Sequence, residues 1–257
     1  GVLPAAARAG SVGPKRLVAG TRVLEVNGRS ARVFGLIGPD GRSGIRLAPG
    51  ERFRVELANE TGGRTIVHWH GQLPPWTQDG FPWPQTPAIG NGVVQAYDYA
   101  PIAGTYWMHS HHEMQEQRLM TAPLIVHDTA VLREDRQEVV LMLHDFTFKM
   151  PDEVLAGLIG KSAATARAIA QNAEGGGERM GSSPSSQPGV GAMANMANMP
   201  DHDMPPMSMA GNSMSAPDHM QMDLNDVHYD AFLANDRTLA DPEIVRCKGP
   251  SRQVIIR

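Results

Sequence analysis

Apolar residues recur along much of this chain with a period of two. In Arg52 to Asn59, Phe53, Val55 and Leu57 alternate with Arg52, Arg54 and Glu56, the pattern of a strand with one buried face. Thr21 to Val26 and Ala31 to Ile37 flank an Asn27-Gly28 pair. Asn-Gly supplies the positive φ that tight hairpin turns require, so these segments predict a hairpin. Thr65 to His70, Val93 to Tyr99, Gly104 to His109 and Ala122 to His127 read as further strands. Short strands in this number, separated by Gly, Pro and Asp turns, predict an all-β Greek-key sandwich or barrel of about 120 residues. The loop from Gly71 to Gly92 is long, rich in proline and carries Trp76 and Trp83, which suits the wall of a site better than a simple connector.

Past Asp128 the pattern changes. Asp128 to Arg136 is a charged linker, Glu138 to Phe148 with its VVLMLHDFTF core predicts a buried strand, and Pro151 to Gln171 predicts a helix with Pro151 and Asp152 at its start. From Glu174 to Met222 the composition shifts to Gly, Ser, Pro, Asn and Met without periodicity, which predicts disorder. Patterned sequence resumes at His228 to Asn235 and Val254 to Ile256. The second unit thus shows about three strands where a sandwich needs around seven, so either another chain completes it or the sequence is a fragment, the expectation preferred here. The expected organisation is a stub at 1–9, a first domain at 10–130, the start of a second at 131–173, a Met-rich insertion at 174–222 and a continuation at 223–257.

Composition narrows the function. A chain of 257 residues with 41% hydrophobic content can bury a core. Its net charge of -4, with both signs interspersed, gives no footprint for nucleic acid or for an anionic membrane surface. The single Cys247 excludes an intramolecular disulfide and a thiolate-rich zinc or iron-sulfur site. No apolar run approaches the ~20 residues of a membrane span. GVLPAAARAG at the start, with the A-x-A pattern Ala7-Arg8-Ala9, resembles the tail of a secretory leader and predicts a periplasmic or secreted protein beginning near Gly10.

The candidate chemistry lies in two His-x-His pairs, His68 with His70 and His109 with His111. Residues two apart in a strand share a face and lie roughly 7 Å apart, so each pair aims two imidazoles into one cleft. If the strands are neighbours, four neutral nitrogen donors converge, a set that suits copper, zinc, iron or nickel. His112 alternates to the opposite face, and His127, His144 and His228 lack paired partners and read as core or surface residues.

HWHG at His68 to Gly71 and WMHSH at Trp107 to His111, followed by QRLMTAPLIV, resemble the first two copper motifs of the multicopper oxidases. The resemblance covers Thr21 to about Asp128 and extends to LMLHDFTF and NDVHYDAFLANDRTLADPEIVR. It implies a cupredoxin-like first domain, and an incomplete second cupredoxin-like one, in an enzyme that couples oxidation of Cu(I) or phenolic donors to reduction of O2 to water. By position, His68 resembles a type 2 copper ligand, His70 and His109 ligands of one type 3 copper, and His111 a ligand of the other. Asp79 resembles the family's acid near the cluster, a proton-relay residue for a reaction that consumes protons; an ordinary Asp-Gly turn is the alternative. The family's C-terminal HxHG-like and HCH-like motifs do not occur in this sequence, and Cys247, between Arg246 and Lys248, has no following histidine to build a type 1 site. Half of the cluster ligands are therefore expected here. The Met-rich tract, with Met204, Met207 and Met209 near His202, offers soft thioethers suited to Cu(I), and similar insertions occur in the bacterial copper-resistance branch of the family. An exported copper-binding or buffering protein without turnover is the alternative function. The oligomeric state is left open.

Overall fold

The computed structural model describes residues 13–134, 136–160, 227–247 and 253–257, together with positions 162, 164, 167, 168 and 171. The leader-like stub at 1–9 and the Met-rich tract at 174–222 lie outside the described residues. The first unit contains strands β1 (Lys15–Val26), β2 (Arg29–Ile37), β3 (Ile45–Leu47), β4 (Phe53–Glu60), β5 (Val67–His70), β6 (Val94–Tyr99), β7 (Gly104–Ser110) and β8 (Thr121–Val126). They form two four-stranded sheets, in the orders β2-β1-β4-β6 and β3-β8-β7-β5. The chain crosses between the sheets after β2, β3, β4, β5 and β6, which makes this an all-β, cupredoxin-like Greek-key sandwich. The expected hairpin is present: β1 pairs antiparallel with β2 in a register closed by Val26 opposite Arg29 across Asn27-Gly28.

The alternation seen in sequence becomes the core. Phe53, Val55 and Leu57 of β4 meet Leu17 of β1 and Tyr97 and Tyr99 of β6, and across the sandwich they face Trp69, Met108 and Leu124. Trp69 is fully buried, with its ring 4.7 Å from Phe53 and 4.9 Å from Tyr97. Its indole N–H donates to the Gln78 carbonyl at 2.8 Å. A buried indole usually finds such a partner, and here that partner draws the long loop against β5. The loop's other end is tied by the buried Asn59, whose amide donates to the carbonyls of Ile89 at 2.9 Å and Gly63 at 2.8 Å. Both ends of the proline-rich segment are thus anchored beside the histidine strands.

The VVLMLHDFTF segment departs from expectation. It is broken into β9 (Gln137–Val139) and β10 (Leu143–Phe146), and most of its apolar residues are partly or fully exposed, with Phe146 buried. A run of apolar residues fits a buried strand by composition, but burial needs a partner on both faces. Ahead of it, the charged linker contains a short helix, α1 (Thr129–Leu132), whose first turn is capped by Asp128 accepting from Ala130 N–H at 2.7 Å. Helix α2 (Pro151–Ile159) starts at the predicted proline. Strands β11 (Ala231–Ala234) and β12 (Arg237–Thr238) join β10 in a three-stranded sheet, and β13 (Val254–Ile256) pairs in parallel with β9.

This second unit packs on the β1–β2 hairpin through a separate cluster in which Phe146 and Leu233 meet Leu24, Val26 and Val33. Arg22 grips Asp236 with two hydrogen bonds of 2.7 and 2.9 Å, the bidentate geometry that suits a guanidinium and a carboxylate. His127 has a structural place as well: its ring bridges the Leu47 carbonyl at 3.0 Å and the Glu138 carboxylate at 3.1 Å. Among the described residues no helix is long and apolar enough to cross a membrane.

Candidate metal centre

Strands β5 and β7 are antiparallel neighbours, with His68 opposite His109 and His70 opposite Trp107. Side chains at matched positions of neighbouring strands project to the same side, so the two His-x-His pairs meet. His111 lies one residue past β7, but its N–H donates to the Ile66 carbonyl at 3.1 Å, which carries the pairing on and keeps its ring on that face. The His68 ring lies 5.6 Å from His70, 5.4 Å from His109 and 4.8 Å from His111. One ring nitrogen each from His68, His109 and His111 falls within 4.8 Å of the others, a spacing that could hold one metal ion. His70 sits at the exposed rim, its Nδ1 3.3 Å from Nε2 of His109. Gly71, after the first pair, has φ +82° and packs its bare Cα against Tyr106, where a Cβ would come within 2.5 Å of the ring. The glycine lets the chain turn away directly beneath the histidines.

Hydrogen bonds to acceptors decide which nitrogens face the cleft. Nδ1 of His68 lies 2.8 Å from the main-chain carbonyl of Asp79, and a carbonyl can only accept, so Nδ1 carries the proton. Nδ1 of His109 lies 2.9 Å from Glu116 Oε2 and donates in the same way. In both rings the lone pair is then on Nε2. This is the arrangement found at metal sites, where the far nitrogen donates to a carbonyl or carboxylate and the near one binds. Asp79 therefore serves His68 first through its backbone. Its carboxylate is 3.5 Å from the same Nδ1.

Burial, followed by the neighbouring His109 and His68, lowers the His111 pKa to about 4, and the same causes lower that of His70. Both rings are neutral at pH 7 and available as donors. In the metal-free protein this has a stability consequence with a definite sign. Between pH 6.5 and about 4 the unfolded chain protonates His111 while the folded chain does not, so stability falls as pH drops through that window. The half-exposed site screens the effect to on the order of 1–2 kcal/mol. Urea midpoints at pH 7 and pH 4.5 should differ more in the wild type than in His111→Asn; an equal difference would refute the assignment.

Glu116 belongs to the site but was not identified from sequence, and Trp107, which opens the WMHSH motif, was given no role there. Trp107 stacks on His109 with ring centroids 4.2 Å apart at 16°. Hydrogen bonding to His109 is the chief cause that lowers the Glu116 pKa. Glu116 stands seven positions beyond His109 on a one-turn 3-10 helix, so no strand period points to it; the acidic EMQE segment after the second motif was the available signal. Phe81, from the long loop, sets its ring edge against His111 at 5.6 Å. Cys247 is exposed and free, away from any paired histidine pattern in the sequence.

Comparison with known proteins agrees with the resemblance carried by HWHG and WMHSH. Residues 32–131 match the family model described as multicopper oxidase. Copper resistance protein A of Pseudomonas syringae pv. tomato is 29% identical over 142 residues, 54% of this chain and 23% of that protein. The multicopper oxidase MmcO of Mycobacterium tuberculosis is 34% identical over 104 residues, 40% of this chain and 20% of its own length. Among solved structures, a multi-copper oxidase from Pseudomonas thermotolerans is 26% identical with a TM-score of 0.46, covering 55% of this chain and 37% of that one. The chain spans about a quarter of the length of the curated relatives it matches.

Proposed function

We propose that the multicopper oxidase region of this chain contributes His68, His70, His109 and His111 as copper ligands to an enzyme that couples oxidation of Cu(I) or a phenolic donor to reduction of O2 to water. The observation that supports this reading is the convergence of three imidazoles, with His70 beside them and the tautomers of two set by acceptors. The donor set fits copper, since it offers neutral nitrogens and no thiolate. When bound, copper supplies the one-electron steps of O2 reduction. His68, His109 and His111, whose ring nitrogens lie within 4.8 Å of one another, would hold copper in the cleft, and His70 would extend the donor set at its rim. The whole enzyme's activity, its periplasmic or secreted location and the division of the chain near residue 130 are parts of this proposal.

Asp79 handles protons in this reading. Its backbone already satisfies His68, so its partly buried carboxylate is left to take up and pass on protons at the edge of the cleft. Asp79→Asn preserves the carbonyl and should leave copper content unchanged. In the natural gene product, O2 uptake with Cu(I) as donor should fall about 100-fold, the lower range for a lost general acid or base. Uptake within about 3-fold of wild type would remove Asp79 from the reaction. Full copper loading with no O2 uptake by the wild type would favour the alternative, a copper-binding protein without turnover, for which the Met-rich tract supplies soft donors.

A further inference from the structure

We infer that Glu116 is a positioning residue for His109, and that Gln115 holds the turn that presents it. Stacking on Trp107 fixes the plane of the His109 ring but not its direction, because the ring can rotate by half a turn about Cβ–Cγ and remain stacked. That rotation exchanges nitrogen for carbon at the edge facing the cleft. The 2.9 Å bond from Nδ1 to Glu116 removes the ambiguity and turns Nε2 to the cleft side, where it lies 3.3 Å from Nδ1 of His70.

The turn is held from its neighbour. Gln115 is buried, and its Oε1 accepts from Thr65 Oγ1 at 2.7 Å and from Ser110 Oγ at 2.9 Å, while its Nε2 donates to the Arg64 carbonyl at 2.8 Å. Its own carbonyl accepts from Met120 N–H at 2.9 Å, and the turn ends on Leu119 in the left-handed region, φ 64°. Ser110, the residue between the two histidines of the second pair, thus acts as a link to the turn that carries Glu116. The segment before β5 and the end of β7 converge on the Gln115 side-chain amide and the segment before β8 on its main-chain carbonyl, so Glu116 is delivered by a turn tied on three sides, as a precise ligand set requires.

The consequence for copper rests on the functional reading above, whereas the hydrogen bond is a property of the metal-free chain, and the two are tested separately. In the metal-free protein with 15N-labelled histidine, long-range proton–nitrogen spectra should show His109 as the Nδ1–H tautomer, with the signal assigned by its loss in His109→Gln. Glu116→Leu should convert it to the Nε2–H form or to a mixture, and Glu116→Gln, whose amide oxygen can still accept, should restore Nδ1–H. The side chain of Glu116 borders a cavity of about 720 Å³, which gives leucine room, and Glu116→Ala provides the same comparison with less bulk. With copper added, Glu116→Leu should bind about 10- to 100-fold more weakly than wild type and Glu116→Gln close to wild type. An Nδ1–H tautomer that persists in both Glu116→Leu and Glu116→Ala would overturn the inference. An altered tautomer in a protein whose wild type binds no copper at the cleft would uphold the positioning role and overturn the copper reading instead.

Discussion

Replacing His68 and His109 together by alanine is expected to abolish Cu(II) binding at the cleft while leaving the sandwich folded. The two residues are direct partners in the β5–β7 register and belong to the group of three whose ring nitrogens lie within 4.8 Å. Losing both leaves only His111 of the group of three whose ring nitrogens converge, beside the exposed His70 at the rim. Affinity should fall by more than about 100-fold, since removing even an outer partner of a ligand can cost that much. Stability of the metal-free protein should fall by about 2–3 kcal/mol, mostly from His109, which is buried and stacked on Trp107, since His68 is only half-buried and Glu116, left without its partner, still reaches solvent. Nitrogen coupling in the electron paramagnetic resonance spectrum provides the readout: several imidazoles in wild type, and no cleft signal in the variant. Equal Cu(II) affinity in wild type and variant would remove these residues as ligands.

Gly80→Ala is expected to be among the most destabilising single substitutions near the site. Gly80 follows Asp79, has φ +74° and lies against β5, where a Cβ would stand 1.8 Å from the Val67 carbonyl oxygen. An alanine there must adopt a left-handed backbone, at about 1–2 kcal/mol, and must also push the loop or the strand apart. The sum should reach about 4 kcal/mol or more, the range reserved for named steric failures. The displacement also pulls the Asp79 carbonyl away from Nδ1 of His68, so surviving folded protein should bind copper more weakly. A urea midpoint within about 1 kcal/mol of wild type would show that the loop yields at no cost.

Much of the first sandwich was legible because its strands alternate cleanly. Phe53, Val55 and Leu57 needed only the period of two, and Asn27-Gly28 only the stereochemistry of a hairpin. The four histidines were legible for the same reason, since spacing by two places side chains on one face whatever the neighbours are. The strand Ile45–Leu47 was missed because three residues hold no period. VVLMLHDFTF misled because apolar content alone cannot tell whether both faces are covered. Asp79 was singled out for its carboxylate, yet its carbonyl makes the shorter contact with His68.

The all-β class, the strands that carry the histidines and the family those motifs resemble follow from local spacing and residue type, and so were readable along the chain. The neighbouring register of β5 and β7, the place of His70 at the rim, and the support from Glu116 and Gln115 emerge once the chain is folded. These depend on which distant segments meet and on which groups are left as donors or acceptors once they do. A periodicity along one strand carries no record of its partner.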